Sequence, residues 1–265
     1  MIDLRFGDEE LTAQRDHIVS FIQDVVDDAG ADGAVLGLSG GVDSTTTAYL
    51  AVEALGPENV YGLVLPSRVS SESNMSDAER VAEDLGIDYD VVEIGGIVDA
   101  IVDSIPDAEA DTVAVGNTAA RVRGVLNYYV ANEENRVVLG TGNKAEALTG
   151  YFTKYGDQAV DCNPIGNLYK QQVRQLARHL GAPEELAEKP ATAELWADQT
   201  DADEMGVGYD VVDAVIALHI EGGVSTVATA RELGVEESVV GTVRELYENS
   251  AHKRSMPPAP EPADL

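Results

Sequence analysis

The chain has 265 residues, of which 44% are hydrophobic, and this length is enough to bury a substantial core. Its 17 lysine and arginine residues against 48 aspartate and glutamate residues give a formal net charge of −31. A charge of this sign and size repels polyanions, so it argues against binding to nucleic acid or to an anionic membrane. The single cysteine, Cys162, excludes an internal disulfide bond and a cysteine-based metal cage.

The acidic residues are spread along the whole chain, in stretches such as DVVDDAGAD, EDLGIDYDVVE and DSIPDAEAD. This distribution is typical of halophilic proteins, in which concentrated salt screens the mutual repulsion, so we expect the fold to loosen at low ionic strength. No apolar run is long enough to cross a bilayer, and the acidic start MIDLRFGDEELTAQRD does not resemble a signal peptide. We therefore expect a soluble, cytoplasmic protein.

The chain opens with a predicted amphipathic helix, whose apolar residues recur at helical spacing: Ile18, Phe21, Ile22, Val25 and Val26. The apolar run GAVLGL at 33–38 predicts a buried strand, and TTTAYLAVEALG after it predicts a helix that ends at Gly56. The run VYGLVLP at 60–66 predicts a second buried strand, and SESNMSDAERVAEDLG predicts a helix with serine or asparagine caps.

The same alternation continues with a third predicted strand at 88–94, a long helix at 112–132 and a fourth strand at 136–141, and from about residue 168 the pattern is helical. Strands that alternate with helices predict an α/β fold, with a parallel sheet covered on both faces and the ligand at the carboxyl ends of the strands. We expect residues 1–258 to form a single domain and the acidic, proline-rich residues 259–265 to be disordered.

The segment LGLSGGVDST, residues 36–45, lies where the first predicted strand ends and a helix begins. Such a turn points backbone N–H groups and the positive end of a helix dipole at one place, which favours an anion. Gly40 and Gly41 allow a close approach of the backbone to the ligand, while Ser39 and Ser44 add hydroxyl donors. Asp43 is unfavourable beside a bare phosphate, but it fits if it holds Mg²⁺ that is bound to a polyphosphate.

Lysine is rare in this chain and absent from the first 143 residues; its five positions are Lys144, Lys154, Lys170, Lys189 and Lys253. On so acidic a surface, each lysine is either a candidate ligand contact or the partner of a neighbouring acid.

The loop at 36–45 lacks the lysine of a P-loop and the spacing of the dinucleotide-binding fingerprint. It resembles the SGGxDS loop of the ATP pyrophosphatase superfamily, which holds the pyrophosphate released when ATP transfers AMP to an acceptor. The second half of the chain, from GNTAARVRGVLNYYVAN through VLGTGNKAEALTGYFTKYGDQAVDCNPIGNLYK to KPATAELWADQTDADEMG, closely resembles the ammonia-dependent NAD synthetases. The resemblance extends from about residue 10 to AHKRSMPP at 251–258.

This resemblance implies the adenine nucleotide alpha hydrolase-like fold and a ligase that completes NAD biosynthesis. The nicotinate carboxylate of deamido-NAD attacks the α-phosphorus of ATP to give an acyl-adenylate and pyrophosphate, and ammonia then displaces AMP. The resemblance also implies Mg²⁺ as cofactor and a homodimer that binds the dinucleotide near its interface. A chain of 265 residues leaves no room for an added glutaminase domain, which favours free ammonia over glutamine.

Site residues carry over from the resemblance one position at a time. It implies that ATP is bound by Gly37, Leu38, Ser39, Gly40, Gly41, Val42, Asp43, Ser44, Thr141, Lys170 and Thr192. It implies that deamido-NAD is bound by Arg121, Lys154, Asp161, His252 and Lys253. Asp43 and Glu146 are the implied Mg²⁺ ligands, and with Lys170 they form the predicted catalytic set, because carboxylates suit a hard cation and lysine suits phosphate.

Two residues near these motifs remain open. Asp157 in KYGDQ is either a residue that handles ammonium or a solvated loop acid. Arg123 lies two residues from Arg121 and nearly opposite it on a helix, so we expect it to have a different role.

Other readings of the sequence are weaker. GMP synthetase subunits share the first loop but not the pattern of the second half, and tRNA-modifying relatives are disfavoured by the charge of −31. Residues 225–246 could form the helix-turn-helix of a transcription factor, but their excess of glutamate is unfavourable for contacts to phosphate. A non-catalytic ATP-binding module would not need Glu146, Lys170 and the substrate-side basic residues together.

Overall fold

The computed structural model of the chain describes residues 2–106, 111–190, 192, 196 and 200–260. Within these residues the sheet has four parallel strands in the order β3-β2-β1-β4. Their bounds are β1 Gly33–Gly37, β2 Val60–Val64, β3 Asp88–Val91 and β4 Arg136–Leu139.

The strands end earlier than the apolar runs that predicted them. Beyond the regular ladder, Leu38 still donates its backbone N–H to Leu63 at 2.8 Å, and Ile94 donates to Pro66 at 2.9 Å. The strands then diverge into loops because proline has no N–H to continue a ladder and the glycine-rich loop turns into a helix. The last residues of the apolar runs therefore form the upper edge of the sheet, where a ligand of an α/β fold binds.

Helices of the first half of the chain cover the two faces of the sheet. Their bounds are α1 Asp8–Ala29, α2 Val42–Leu55, α3 Glu72–Leu85, α4 Gly95–Asp103 and α5 Thr112–Glu134. Ala34 and Leu36 of β1 pack toward α1, α2 and α3, whereas Val35 packs toward α4 and α5. Burial on both faces explains the continuous apolar strands and confirms the predicted α/β class.

Two details of these helices differ from the prediction. In α1 the buried stripe includes Ile18, Ile22 and Val26, whereas Phe21 lies at its edge and is 38% exposed. Helix α4 was absent from the predicted elements; it begins with two glycines and has no side-chain cap at its start. Its sequence therefore lacks the usual signal of a helix start.

The second half of the chain adds a helical layer beside the carboxyl ends of β1 and β4. Its helices are α6 Lys144–Thr149, α7 Lys170–His179, α8 Glu184–Ala187, α9 Asp201–Met205, α10 Tyr209–Val215, α11 Thr226–Leu233 and α12 Glu237–Asn249. A π-helical segment, Ile216–Glu221, continues α10. Tyr209, Val212, Val240 and Val243 share one core in this layer, which confirms the predicted helical C-terminal portion.

The predicted disordered tail at 259–265 lies outside the described residues from 261 onward. None of the helices in the described part of the chain has the length and apolar character that a membrane-spanning segment requires.

Candidate active site

The loop between β1 and α2 is shaped by a glycine that no other residue could replace without strain. Gly40 has a φ of +70°, and a Cβ atom there would lie 2.3 Å from the backbone oxygen of Asn74 in α3. Gly41 caps α2 without a side chain, and the Oγ atoms of Ser39 and Ser44 lie 3.0 Å apart. The start of α2 thus presents backbone N–H groups and two hydroxyls at the end of β1, an arrangement that suits an anion.

A cavity of about 480 Å³ opens in front of this loop, at the carboxyl ends of β1, β2 and β4. Among the residues that line it are Gly37, Leu38, Ser39, Gly41, Val42, Asp43, Ser44, Thr141, Glu146, Lys170, Thr192 and Lys253. Gly40 faces α3 instead. Nearly all of the residues predicted to bind ATP therefore line the cavity. So does Lys253, which was predicted to bind deamido-NAD.

Three helices bring a charged cluster to the floor of this cavity. Asp43 is the second residue of α2, Glu146 the third of α6 and Lys170 the first of α7. The ammonium group of Lys170 is 1% exposed; it pairs closely with Asp43 and lies 3.6 Å from Oε1 of Glu146.

Neutral side chains connect the two carboxylates. The Nδ2 group of Asn143 donates to Oε1 of Glu146 at 2.7 Å and to Oδ1 of Asp43 at 3.3 Å. The Tyr209 hydroxyl lies within hydrogen-bond distance of both Oε1 of Glu146, at 3.1 Å, and Oδ2 of Asp201, at 2.9 Å, and its single proton can go to either. These bonds fix both acids beside Lys170.

Burial governs the ionisation of this cluster. Burial, reinforced by the charge of Asp43, raises the pKa of Glu146 to about 8, although Lys170 opposes the shift. Burial also disfavours the ammonium form of Lys170, but the carboxylates of Asp43 and Glu146 outweigh it and raise the pKa of Lys170. Lys170 therefore keeps its positive charge. A cation bound beside Glu146 would favour its ionised form and so release its proton.

Asp43 and Glu146 fit a magnesium ion that shares the oxygen atoms of a nucleotide. Carboxylates are hard oxygen donors, and Mg²⁺ is usually bound by one or two of them together with phosphate oxygens and water. Across the described ranges, no group of three or more His, Cys, Asp or Glu side chains could hold a metal ion. The two acids would therefore need a polyphosphate to complete the coordination.

Basic residues gather at a second edge of the cavity. Nζ of Lys253 donates to the carbonyl oxygens of Gly150 at 2.7 Å and Phe152 at 2.8 Å, and partial burial lowers its pKa. Nζ of Lys154 donates to the His252 carbonyl at 2.8 Å, and Nε of Arg121 donates to the Lys154 carbonyl at 3.3 Å. Backbone contacts thus bring together Arg121, Lys154 and the pair at 252–253.

The carboxylate of Asp161 is engaged elsewhere. It accepts from the Val138 backbone N–H at 2.7 Å and from the Tyr128 hydroxyl at 3.0 Å, and so it ties β4 to α5. The neighbouring Cys162 has its pKa raised to about 11 by burial, so its thiol stays protonated. Asp161 is exposed and each of its oxygens accepts one bond, so its role in binding deamido-NAD stays a prediction.

Comparison with known proteins places this site in a family. Residues 14–257 match the family described as NAD synthase. The chain belongs to the NAD synthase family. The resemblance read from the sequence motifs is thereby confirmed.

Individual relatives are similar over nearly the whole chain. An NH(3)-dependent NAD(+) synthetase of Halobacterium salinarum is 64% identical over 259 residues, which cover 98% of this chain and 97% of that protein. One from Hyperthermus butylicus is 49% identical and covers 93% of this chain and 89% of its own length.

Solved structures of the family have the same fold. An NH3-dependent NAD synthetase from Campylobacter jejuni has a TM-score of 0.80 at 32% identity, over 95% of this chain and 99% of that one. An NMN synthetase from Francisella tularensis has a TM-score of 0.84 at 33% identity, over 96% and 99%.

Sequence reasoning missed several residues of this NAD synthase site. Arg123 lines the cavity and donates from Nε to the Leu65 carbonyl at 3.1 Å, whereas Arg121 is exposed on another side of α5. Asn143 begins a capping box with Glu146, and the spacing N-x-x-E is a signal that could have found it. Asp201 and Tyr209 join the cluster from distant helices, and no local pattern marks them.

Lys189 is a further contact that the motifs did not specify. Its Nζ donates to the Gly40 carbonyl at 3.2 Å and to Oδ2 of Asp77 in α3 at 2.5 Å. This lysine therefore holds the glycine-rich loop against α3.

Proposed function

We propose that this chain is an ammonia-dependent NAD synthetase, a ligase that forms a C–N bond. It converts deamido-NAD to NAD with ATP and ammonia in the last step of NAD biosynthesis, releasing AMP and pyrophosphate. The observation that carries this proposal is the meeting of Asp43, Glu146 and Lys170 beside the start of α2 in one cavity. The family match supports residues 1–258 as one catalytic domain, and we place its reaction in the cytoplasm, where ATP is available.

The start of α2 binds the β- and γ-phosphates of ATP. Its backbone N–H groups and the hydroxyls of Ser39 and Ser44 donate to the pyrophosphate that will leave, so no lysine is required in the loop. Asp43 and Glu146 would hold Mg²⁺ here, which supplies charge neutralisation to the phosphate oxygens.

Lys170 lies beside these two acids and acts on the phosphorus that reacts. In the first step a carboxylate oxygen of deamido-NAD forms a bond to the α-phosphorus, and the bond from this phosphorus to the pyrophosphate oxygen breaks. Negative charge then increases on the oxygens around the α-phosphorus. The buried ammonium of Lys170 stabilises that charge in a site with little water, where the interaction is strong.

In the second step ammonia attacks the carbonyl carbon of the acyl-adenylate. The new C–N bond replaces the C–O bond to AMP, and the nitrogen loses a proton as the amide forms. An acid that lines the cavity but is not assigned to the metal, such as Asp157 or Asp201, is a suitable acceptor for that proton.

The basic edge of the cavity binds deamido-NAD. Arg121, Lys154 and Lys253 form a local concentration of positive charge in a chain of net charge −31, which favours the pyrophosphate of the dinucleotide, and His252 adds a hydrogen-bonding ring beside them. We include Asp161 as a partner for hydroxyl groups of the same substrate.

The working form is a homodimer. Arg121, Val125 and Tyr129 follow one another at spacings of four along α5 and form an exposed stripe. Exposed apolar residues continue on α4, which packs against α5. A second copy that covers this stripe would place the substrate-side Arg121 at the interface, as expected if the dinucleotide binds near the partner chain.

The test of this function is a comparison of substrates in molar KCl with ATP and Mg²⁺. The purified chain is supplied with ammonium and either deamido-NAD or nicotinate mononucleotide, because one similar structure is described as an NMN synthetase. Rapid amidation of deamido-NAD supports the proposal, and preference for the mononucleotide overturns the substrate assignment. Replacing ammonium with glutamine should abolish product formation.

A further inference from the structure

Asp213 is a fully buried acid that lies behind the catalytic cluster rather than in it. It belongs to α10 and is 0% exposed. Its Oδ2 atom accepts a hydrogen bond from the backbone N–H of Gln171 at 3.3 Å. The backbone N–H of Lys170 also donates a hydrogen bond to this carboxylate. Asp213 therefore faces the first turn of α7, the helix that begins with Lys170.

This first turn needs an acceptor from outside its own helix. The first backbone N–H groups of any α-helix have no partner within the helix, and leaving them buried without one is costly. Tyr169, which precedes Lys170, caps α7 with no side-chain hydrogen bond, and Gln172 is used to accept from the Tyr169 N–H at 3.0 Å. Asp213 supplies the missing acceptor, and because burial raises its pKa to about 7, the cap rests on this hydrogen bond rather than on a full negative charge.

The position of this cap matters because Lys170 is the first residue of the helix. A shift of the first turn would move the Lys170 backbone, and with it the ammonium group beside Asp43 and Glu146. The packing leaves little room for compensation, because Lys170 itself is 1% exposed and lies over the Tyr209 ring at 4.6 Å. Tyr209 starts the helix that carries Asp213, so both contacts come from α10.

We propose that Asp213 is a positioning residue for adenylation: by capping α7 from α10, it holds the Lys170 ammonium where the α-phosphate reacts. This inference rests on the proposed function, since it assigns Asp213 a role that acts through Lys170. Asp213 itself touches neither substrate nor the reacting atoms.

The test is a double-mutant cycle on pyrophosphate release by the full chain in molar KCl. Asp213→Leu removes the acceptor but keeps a γ-branched side chain, and it should lower kcat about 10²-fold, the scale of a 1 Å misplacement, with KM for ATP changed by less than about threefold. In a Lys170→Ala background the same change should lower the residual rate by less than about twofold. Asp213→Asn keeps an acceptor and should restore most of the rate.

Asp210 provides a matched control on the same helix. It is exposed and accepts from the side-chain Nε2 of Gln171 at 3.4 Å rather than from the backbone. Asp210→Asn should change kcat by less than about twofold, because the start of α7 keeps its cap.

Each outcome decides the role of Asp213. Equal loss in the wild-type and Lys170→Ala backgrounds overturns it, as does full activity of Asp213→Leu. If circular dichroism shows that Asp213→Leu does not fold, Asp213→Asn provides the test. Its rate of pyrophosphate release must then stay far above that of Lys170→Ala. A wild-type chain that forms no NAD contradicts the proposed function, whereas an active wild type with additive losses contradicts only the role of Asp213.

Discussion

The ammonium group of Lys170 occupies the space between two acids that would bind a metal. In the structure it pairs with Asp43 and lies 3.6 Å from Glu146, so it neutralises negative charge that Mg²⁺ would otherwise balance. Mutual stabilisation of this kind allows three ionisable groups to remain buried together. Removing Asp43 or Lys170 leaves the other charge unbalanced, so substitutions of these two residues report on both stability and chemistry.

Substitutions at the two ends of the cavity should separate the two half-sites. Asp43→Asn removes a carboxylate that we assign to the metal, and pyrophosphate release should fall by at least about 10²-fold. Lys253→Ala should mainly raise KM for deamido-NAD, by about tenfold, while KM for ATP changes by less than about twofold. Steady-state kinetics with each substrate varied in turn measures both effects. Equal loss of ATP affinity in the two variants would contradict the division of the site.

Glu146 should make the ligand-free protein less stable as the pH rises. Its pKa lies near 4.5 when unfolded, and burial first, then Asp43, raises it to about 8 in the folded chain. The folded state therefore holds the proton more tightly, and stability is lost progressively between about pH 4.5 and pH 8. One unit of pKa corresponds to about 1.4 kcal/mol, so the loss from this group is on the order of 5 kcal/mol at most.

Unfolding in molar KCl at a series of pH values checks this expectation. Glu146→Gln should unfold less readily than the wild type near pH 8 and show a shallower dependence on pH. Glu245→Gln, at an exposed position of α12, serves as the control and should keep the wild-type slope. Identical slopes for wild type and Glu146→Gln would show that Glu146 does not titrate in this range.

At the scale of elements, the helices of the second half determine how the site is built. Helices α6 and α7 each bring one catalytic residue in their first turn, and α10 supports both through Tyr209 and Asp213. The π-helical turn that follows α10 ends at Glu221, which accepts from Nζ of Lys144 at 3.1 Å and also bonds the Tyr169 hydroxyl. Glu221 thus contacts both Lys144, the first residue of α6, and Tyr169, the residue directly before α7.

The exposed stripe of α5 leads to a prediction about assembly. Val125→Asp places a charge in the centre of the proposed dimer contact and should convert a dimer of the 28.1 kDa chain to a monomer. It should also raise KM for deamido-NAD, because Arg121 lies one turn away on the same stripe. Light scattering after size-exclusion chromatography measures the mass. Val227→Asp, at an exposed position of α11, is the control and should leave the mass unchanged.

Strands β1, β2 and β4 and the loop at 36–45 could be predicted from the sequence because their signals are local. A strand buried on both faces is a continuous apolar run, and the loop combines glycines, hydroxyls and one acid within a few residues. Helix α4 could not be predicted, since Ile97 and Ile101 are partly exposed and its start lacks a cap. Asp201, Tyr209 and Asp213 were missed because only the packing of distant helices brings them to the site.

At the scale of the whole molecule, the charge of −31 should make the fold dependent on salt. The Debye length is about 3 Å in 1 M salt and about 30 Å in 0.01 M salt, so dilution exposes the acids to one another across the surface. We expect the far-ultraviolet circular dichroism of helices to weaken, and the melting temperature to fall, when molar KCl is replaced by dilute buffer. A spectrum and melting temperature unchanged by this transfer would contradict the halophilic interpretation.

The measurement that tests the account most directly follows an oxygen label through the reaction. Deamido-NAD carrying ¹⁸O in its nicotinate carboxylate is incubated with the chain, ATP, Mg²⁺ and ammonium in molar KCl. The account predicts NAD, AMP and pyrophosphate in equal amounts, with one labelled oxygen in the phosphate of AMP. Formation of ADP and phosphate, or of AMP without label, would contradict attack of the carboxylate on the α-phosphorus.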